Sequence, residues 1–261
     1  MTLPQRGLAW LCLALLTLAQ VWAAPLNPHI LRAVQSMPTG GGYASDRAAE
    51  VRLARSGIVW QKRSQQLVVA PRAASPSFCS AACYMALLRA LGSWETEQGR
   101  RVFSAQVWES LRVEETHPDG SLSWGRFNSN GPGCAKWVYD LRAGINFTDP
   151  KSALPGDFLK IFFSPQIGAQ ERGHLVVFLG LEQLRGQPHI RFWSANKPGG
   201  YGIRTLPLSS IHHMIFTRVT HPERIALAPS LPAHDPWLAA MLTHDFSFPE
   251  ICQRCGIGRD R

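Results

Sequence analysis

Two cysteines one helical turn apart are the residues of this sequence best suited to nucleophilic chemistry. Cys79 and Cys83 lie in the segment SPSFCSAACYMALLRALG, residues 75–92. Its apolar residues recur at helical spacing, and the segment is typical of a helix with Ser77 as N-cap and Gly92 as the stop. Cys79 would then lie in the first turn, where the helix dipole lowers the pKa of a thiol, and Cys83 one turn deeper. This favours Cys79 as a nucleophile over the alternative that both cysteines only pack in a core.

A nucleophilic thiol needs a base to take its proton, and His174 is the best candidate for that base. His174 opens an apolar strand predicted for 174–180, and a second strand is predicted for 190–196. In an antiparallel pair the start of one strand lies beside the end of the next, which brings His174 near Ser194 and Asn196. Either polar residue could orient the imidazole, and Asn196 is favoured because its amide oxygen reaches farther to accept from Nδ1–H. A lone histidine at a strand start is more often structural, but together with a helix-start cysteine it predicts a Cys-His site.

The elements that must position these residues change type along the chain. Helices are predicted at 46–53, 75–92, 99–112 and 135–141, with 124–133 as a loop. Strands are predicted at 66–70, 157–163, 174–180, 190–196, 203–206 and 214–219. Helices followed by an antiparallel meander are typical of an α+β fold. We therefore predict an N-terminal extension at 24–74, a catalytic domain at 75–220 and a Pro-rich C-terminal tail at 221–261.

The N-terminus has the pattern of a secretory signal covering residues 1–23. One basic residue, Arg6, precedes an apolar run from Leu8 to about Ala19, and the small residues expected before a cleavage site follow. The run is short for a membrane span, so an uncleaved anchor is the weaker alternative. The pattern predicts a secreted or periplasmic protein with no stable membrane insertion once the signal is removed.

Charge and composition limit the class of partner. The 261 residues carry a formal net charge of +9, and removal of residues 1–23 leaves +8. With 45% hydrophobic and 17% charged residues the composition is that of a globular protein. A basic secreted protein is attracted to anionic surfaces such as wall polymers. Its basic residues are scattered and no nucleic-acid motif accompanies them, so nucleic acid is not an expected partner.

Five cysteines remain after the signal, and an odd number leaves one thiol unpaired within a chain. Export permits disulfides, and two bridges plus one free nucleophile account for all five. Because helix phase puts Cys83 on the buried face, we expect Cys83 to pair with Cys134 and Cys252 with Cys255, which leaves Cys79 free.

Cys252 and Cys255 also form a C-x-x-C motif. Redox motifs of this kind normally open a helix after a strand, whereas this one lies in a tail bounded by Gly and Pro, so a local disulfide is favoured over redox chemistry. The adjacent His212 and His213 lack the regular spacing of zinc motifs. Neither a metal nor another cofactor is expected.

Two motifs carry a resemblance to a known family. LPGDFLKIFF at 154–163 and GHLVVFLG at 173–180 resemble the PGD(L)-x-x-F and GH-V-x-x-x-x-G pair of papain-like cell-wall cysteine hydrolases. These are the NlpC-type peptidases and the cysteine, histidine-dependent amidohydrolase/peptidase group. The resemblance covers residues 75–219. It departs from the family in the residues around the cysteine, which read Phe-Cys-Ser-Ala where Asp-Cys-Ser-Gly is usual.

The resemblance implies a papain-like fold, with helices packed on an antiparallel sheet, and a role for each matching residue. Cys79 matches the nucleophile, His174 the general base and Asn196 the orienting residue, while the family's acidic position falls on Ser194. Asp157 matches a structural residue that holds the turn before its strand.

Backbone N–H groups near Cys79 and Ser80 are expected to form the oxyanion hole at the helix start. Trp124, Trp193 and Tyr201 are candidates to line a cleft for a peptide or sugar, although most tryptophans in a chain of this size belong to the core.

These expectations favour a secreted cysteine amidase or peptidase whose substrate is peptidoglycan or a cell-wall peptide. Two alternatives remain open. One is a non-catalytic wall-binding module on the same fold, and the other is a thiol-disulfide protein that uses Cys252 and Cys255.

Overall fold

The computed structural model describes residues 26–115 and 119–258, so the predicted signal at 1–23 lies outside the described residues. The described part is an α+β structure with an antiparallel sheet, as predicted. Its α-helices are α1 (Asn27–Gln35), α2 (Arg47–Arg52), α3 (Cys79–Glu97), α4 (Ala105–Ser110), α5 (Leu122–Asn128), α6 (Gly133–Asp140), α7 (Pro236–Ala240) and α8 (Phe248–Arg254). Its strands are β1 (Gly40–Gly41), β2 (Ile58–Gln61), β3 (Gln66–Val69), β4 (Gly144–Phe147), β5 (Phe158–Phe162), β6 (Ile167–Gly168), β7 (Gly173–Leu184), β8 (Gln187–Asn196), β9 (Gly200–Pro207), β10 (His213–Val219) and β11 (Asp245–Phe246).

Seven strands form the main sheet in the order β1-β9-β8-β7-β5-β10-β4, and every neighbouring pair is antiparallel. Strands alternate their side chains between the two faces of a sheet. On one face Val177 and Trp193, which are direct partners on β7 and β8, belong to the core that also contains most of α3. On the other face Val176, Phe178 and Phe192 belong to a separate apolar cluster. The sheet is therefore buried on both sides at its centre.

The pairing of β7 with β8 positions the edge at which the candidate residues lie. Val177 opposes Trp193, and the same register carried three residues to the edge puts His174 opposite Asn196. The two strands are longer than predicted, because they continue to a two-residue turn in which Gly186 has a φ of 77°. Only glycine adopts that left-handed backbone without strain.

The described part of the predicted N-terminal extension, residues 26–74, is part of the same fold. Its strand β1 pairs with β9 at the edge of the main sheet, with Gly40 opposite Tyr201. Its helix α1 packs along α3, where the ring of His29 lies 3.1 Å from the Ser93 hydroxyl and Arg32 forms an ion pair of 3.1 Å with Glu97. The segment therefore completes the sheet edge next to the start of α3.

Helix α3 is buried over most of its length and corrects two predictions. Its N-cap is Phe78, not Ser77, and no side chain caps it. Gly92 does not stop the helix, which continues to Glu97. A glycine inside a helix costs about 1 kcal/mol, but the turns beyond it are held by tertiary contacts. Glu95 accepts hydrogen bonds from the backbone N–H of Phe103 at 2.6 Å and from its neighbour Val102 at 2.8 Å.

The predicted loop at 124–133 is wrong, since α5 covers Leu122–Asn128 and α6 begins at Gly133. Aromatic packing explains the difference. The Trp124 ring lies 5.1 Å from the Tyr84 ring and the Phe127 ring lies 4.9 Å from it, between centroids. This burial against α3 outweighs the weak helix propensity of the glycine- and asparagine-rich sequence.

Asp157 holds the turn before β5, in agreement with the role that the resemblance implies. Its carboxylate is fully buried and accepts from Nε and Nη2 of Arg218 at 2.9 and 2.7 Å, from Nδ2 of Asn27 at 2.8 Å and from the backbone N–H of Leu154 at 2.8 Å. A buried charge is tolerated only when it is paired and hydrogen-bonded in this way.

Residues 221–258 pack against the preceding helices and the sheet, and a buried ion pair anchors them. Arg126 on α5 is 2% exposed, and its guanidinium lies 3.1 Å from Asp235, the N-cap of α7. Helix α8 adds Ile251 to an apolar cluster with Phe162 and Ile215 of the sheet. None of the helices in the described ranges is long and apolar enough to cross a membrane.

Candidate active site

Cys79 is the first residue of α3. The first backbone hydrogen bond at this helix end runs from the N–H of Ala82 to the carbonyl of Phe78 at 2.9 Å. The N–H groups of Cys79 and Ser80 precede that bond, so they are not used by the helix and mark its positive end. Cys79 is partly exposed, whereas Cys83 is fully buried one turn deeper.

His174 and Asn196 meet at the sheet edge next to this helix start. Nε2 of His174 lies 3.1 Å from Oδ1 of Asn196. The Asn196 amide is fixed, because its Nδ2 donates to the carbonyls of Ser194 at 3.0 Å and Gly202 at 2.9 Å. Its oxygen must therefore face the imidazole and accept from Nε2–H, which leaves Nδ1 for the thiol. The predicted pair is present, but the nitrogen that bonds Asn196 is Nε2 and not Nδ1.

The electrostatics around Cys79 favour a thiolate. Burial alone raises the pKa of a thiol, but here it is outweighed by a side-chain hydrogen bond with His174 and by the positive charge of its imidazole. The backbone of Leu175 and the charge of Lys160 act in the same direction, and together they lower the pKa of Cys79 from 9.0 to about 6. At neutral pH the sulfur is therefore ionised, as a nucleophile requires.

Tyr43 is a site residue that the sequence analysis missed. Its pKa is raised to about 12 by burial, by the charge of Cys79 and by a hydrogen bond with Cys79. Its hydroxyl is therefore protonated and can donate to the sulfur. Tyr43 is held there because the neighbouring Ala44 donates its N–H to the Ser77 carbonyl at 3.1 Å, just before α3.

Three glycines bring Tyr43 into this position. Gly40, Gly41 and Gly42 have φ angles of 79°, 86° and 74°, a left-handed run that other residues adopt only with strain. A Cβ on Gly41 would lie 2.6 Å from the Ser75 hydroxyl. The sequence PTGGGY contains the signal for this turn, but not the identity of the residue that the turn approaches.

The start of α3 is tied to the end of α5 by a side-chain hydrogen bond. Ser80 donates its hydroxyl to Oδ1 of Asn128 at 2.5 Å, across to the end of α5. Asn128 and Cys79 line the same cavity, and because Oδ1 of Asn128 accepts from Ser80, its amide nitrogen remains as a donor.

Ser194 is not the residue that orients His174. It is fully buried and donates its hydroxyl to the carbonyl of Leu175 at 2.9 Å, on the strand that carries His174. The same carbonyl accepts from the Cys83 thiol at 3.4 Å. Ser194 and Cys83 therefore tie the sheet to α3 behind the site, and the alternative that Ser194 serves as the orienting residue is wrong.

The three aromatic residues predicted to line the cleft belong to the core. Trp124 is 1% exposed, Trp193 3% and Tyr201 2%. Trp193 and Tyr201 stack with ring centroids 6.0 Å apart, and the Tyr201 hydroxyl donates to the carbonyl of Pro71 at 3.1 Å. Their contribution is apolar burial under α3, so the prediction that they contact substrate is wrong.

Neither predicted disulfide is formed, and all five cysteines of the described chain are free. Cys83 donates to a backbone carbonyl and lies in the α3 core, not in a bridge with Cys134. Cys252 lies on α8 and Cys255 follows its last residue, three positions later. The helix turns them into different surroundings, since Cys252 is half-buried and Cys255 is packed in an apolar cluster.

A cavity of about 330 Å³ opens in front of the sulfur, and we call it the Cys79 cavity. Its lining is polar, and it includes the carboxylates of Glu50, Asp119 and Glu171. Glu171 is almost fully buried and forms an ion pair with Lys160, which also lines the cavity. The net charge of these four side chains is therefore negative.

A second cavity, of about 280 Å³, is lined by Tyr43, His174 and Asn196, and we call it the His174 groove. Its remaining lining is aromatic, aliphatic and cationic. The two cavities share Tyr43 and Gly173.

Within residues 26–115 and 119–258, no group of three or more His, Cys, Asp or Glu side chains is arranged to hold a metal ion. Comparison of the chain with protein-family models, with curated proteins and with solved structures finds no match to any of them.

Proposed function

We propose that this protein is a secreted cysteine amidase or peptidase of papain-like architecture that cleaves amide bonds in bacterial cell-wall peptides. The observation that carries the proposal is the thiol of Cys79, which begins a helix beside an imidazole whose tautomer is fixed by Asn196. Its pKa of about 6 is suited to attack at neutral pH. Export is supported by the signal pattern at 1–23, and wall peptides by the resemblance of the segments at 154–163 and 173–180.

In the first half of the reaction the Cys79 thiolate attacks the carbonyl carbon of the amide and a C–S bond forms. The carbonyl oxygen becomes negative and accepts from the N–H groups of Cys79 and Ser80 and from the amide of Asn128. When the C–N bond breaks, protonated His174 gives its proton to the departing nitrogen. The products of this half are a free amine and a thioester on Cys79.

In the second half a water molecule attacks the thioester, and His174 takes one of its protons. The C–S bond breaks, the acid leaves and the thiolate of Cys79 is restored beside a protonated His174. Asn196 takes no proton at any step; its hydrogen bond keeps Nδ1 directed at the sulfur throughout.

The two alternatives have less support from the geometry. A wall-binding module needs no ionised thiol, yet the surroundings of Cys79 lower its pKa. A thiol-disulfide protein using the C-x-x-C motif needs a reactive thiol there, yet burial raises the pKa of both Cys252 and Cys255.

The direct test is incubation of the purified protein with purified peptidoglycan, with the soluble fragments identified by mass spectrometry. We expect fragments with newly exposed amines and carboxylates, their loss in Cys79→Ala, and their retention in the matched control Cys252→Ser. An absence of fragments, or fragments that persist in Cys79→Ala, contradicts the proposal. Loss in Cys252→Ser alone favours the thiol-disulfide alternative.

A further inference from the structure

The His174 groove contains two cations without a carboxylate partner. Lys197 follows the last residue of β8, and Arg204 lies on β9 directly opposite Phe192. Both are exposed. Among the described residues neither forms an ion pair with Asp or Glu, and the nearest aromatic contact of Lys197 is the Tyr43 ring, 5.2 Å from its nitrogen.

The rest of the groove is apolar. Phe163 is 39% exposed, and the ring of Phe192 lies edge-on to the His174 ring at 5.8 Å between centroids. Leu206 completes this wall. In the part of the chain that the structure describes, no acidic side chain lines the groove. The groove therefore offers an apolar surface and two positive charges immediately beside the imidazole.

The charge of the Cys79 cavity is opposite to that of the His174 groove. Of its three carboxylates, Glu171 is paired with Lys160 and Glu50 with the exposed Arg47 at 3.2 Å, so Asp119 supplies the unbalanced negative charge among the described lining residues. An anionic group is repelled from that side and attracted to the other. The two cavities meet at Tyr43. A substrate that extends through both therefore has negative side chains beside one end and positive side chains beside the other.

Catalytic chemistry decides which part of the substrate each cavity receives. His174 must reach the departing nitrogen to protonate it, so the amine half lies on the side that His174 lines. The acyl half is attached to Cys79 and directs its oxygen at Ser80, so it lies in the Cys79 cavity.

Resting on the proposed function, we infer that the His174 groove is a subsite for a leaving amine that bears a free carboxylate. Lys197 and Arg204 bind the carboxylate, and Phe163, Phe192 and Leu206 contact the adjoining side chain. The favoured substrates are then amides whose released half is an amino acid or a short peptide with its terminal carboxylate free. Hydrolysis of an internal bond far from any carboxylate is expected to be slow.

Two thiol reagents that differ only in the carboxylate test this inference, whatever the acyl group of the natural substrate. They are N-bromoacetyl-alanine and N-bromoacetyl-alaninamide. In each, the Cys79 sulfur displaces bromide and forms an S–CH₂ bond, which leaves the terminal group about 6 Å from the sulfur. The rate constants for labelling of Cys79 are measured at pH 7 by mass spectrometry and divided by those of free cysteine.

We expect the acid reagent to react about fivefold faster than the amide reagent after this division, because two exposed cations attract its carboxylate. The double variant Lys197→Met/Arg204→Met is expected to bring the ratio to about one. The matched control is Lys62→Met/Arg63→Met, which removes the same charge from the turn between β2 and β3 and lies in neither cavity. It should retain the fivefold ratio.

A ratio near one in the unaltered protein overturns the inference, as does a ratio that survives in Lys197→Met/Arg204→Met or falls equally in the control. The absolute rate constants for labelling of Cys79, rather than their ratio, test the proposed function. If Cys79 reacts with both reagents no faster than a buried thiol, the proposed function is contradicted, and the inference that rests on it is overturned with it.

Discussion

Two regions of the molecule present a cysteine at the end of a helix. Cys79 is the first residue of α3, and Cys255 follows the last residue of α8. The pKa of Cys79 is lowered to about 6, whereas that of Cys255 is raised, mainly by burial. The N-terminus of a helix favours a negative sulfur and the C-terminus disfavours it, and only Cys79 of the two has an imidazole among the groups that shift its pKa. The difference in pKa therefore follows from position and partners, since the residue type is the same.

Helix α3 itself contains one cysteine with a lowered pKa and one with a raised pKa. Cys83 lies one turn beyond Cys79, and burial raises its pKa well above the usual value. The residue Leu175 contacts both: its backbone favours the Cys79 thiolate, and its carbonyl accepts from the Cys83 thiol. One strand residue thus contacts a sulfur whose pKa is lowered and, one helical turn away, a sulfur whose pKa is raised.

The largest expected effect comes from removing the imidazole. If the proposed function holds, His174→Ala should lower kcat/KM for peptidoglycan fragments by about 10³-fold, because the proposed mechanism uses this imidazole as both base and acid. It should also raise the pKa of Cys79 toward 9, since the main group that lowers it is lost. The matched control is His189→Ala at the far end of β8, where the imidazole bonds the carbonyl of Gln187 in its own turn. Equal losses in the two variants would contradict the role of His174.

Removal of the orienting amide should have the next largest effect. Asn196→Ala is expected to lower kcat by about 10- to 100-fold with KM little changed, because the imidazole loses its fixed tautomer and direction. Ser194→Ala is the control, since its hydroxyl bonds a backbone carbonyl and not the imidazole. Steady-state kinetics on both variants checks this order, and a greater loss of kcat in Ser194→Ala would reverse the assignment.

Tyr43→Phe should have a smaller effect. It removes the hydroxyl that donates to the Cys79 sulfur while keeping the ring that Lys197 contacts. A hydrogen bond to a charged group is worth about 1.5 kcal/mol, so the pKa of Cys79 should rise and its labelling at pH 6 should slow by about sixfold. Tyr139→Phe, on α6, serves as the control. Unchanged labelling in Tyr43→Phe would show that its hydroxyl does not bond the thiolate.

The smallest effect on the thiol is expected for Lys160→Met. Lys160 is the last of the groups that lower the pKa of Cys79, so labelling at about pH 5, where the thiolate fraction follows that pKa, should slow only about twofold. Stability should fall more, because Glu171 is left buried without its partner, at a cost of about 3 kcal/mol. Thermal unfolding should show this loss and its partial recovery in Lys160→Met/Glu171→Gln. A loss of stability without any change in labelling would limit Lys160 to a structural role.

Local signals in the sequence were sufficient to predict the parts of the site that lie on regular elements. The first-turn position of Cys79 followed from apolar spacing, and the meeting of His174 with Asn196 followed from antiparallel register. Both depend on periodicity, which is encoded over a few residues.

The remaining features depend on contacts between distant segments. Tyr43 reaches Cys79 across 36 positions through a left-handed turn, and Glu95 extends α3 past Gly92 by bonding a later loop. Trp124 is drawn into the core by Tyr84 rather than exposed in a cleft. Spacing in the sequence carries no information about such pairs, so the glycine stop, the aromatic cleft and the disulfides were predicted incorrectly.

The most direct test of the central claim is the pH dependence of the rate at which iodoacetamide alkylates Cys79 in the folded protein, with the labelled residue identified by peptide mass spectrometry. A thiol whose pKa is lowered is ionised above that pKa, so the rate should rise through a midpoint near pH 6 and stay constant above about pH 7.5. Cys83, Cys134 and Cys255 should remain unlabelled, because they are buried. A rate that rises only near pH 9, or faster labelling at Cys252 than at Cys79, would contradict the account.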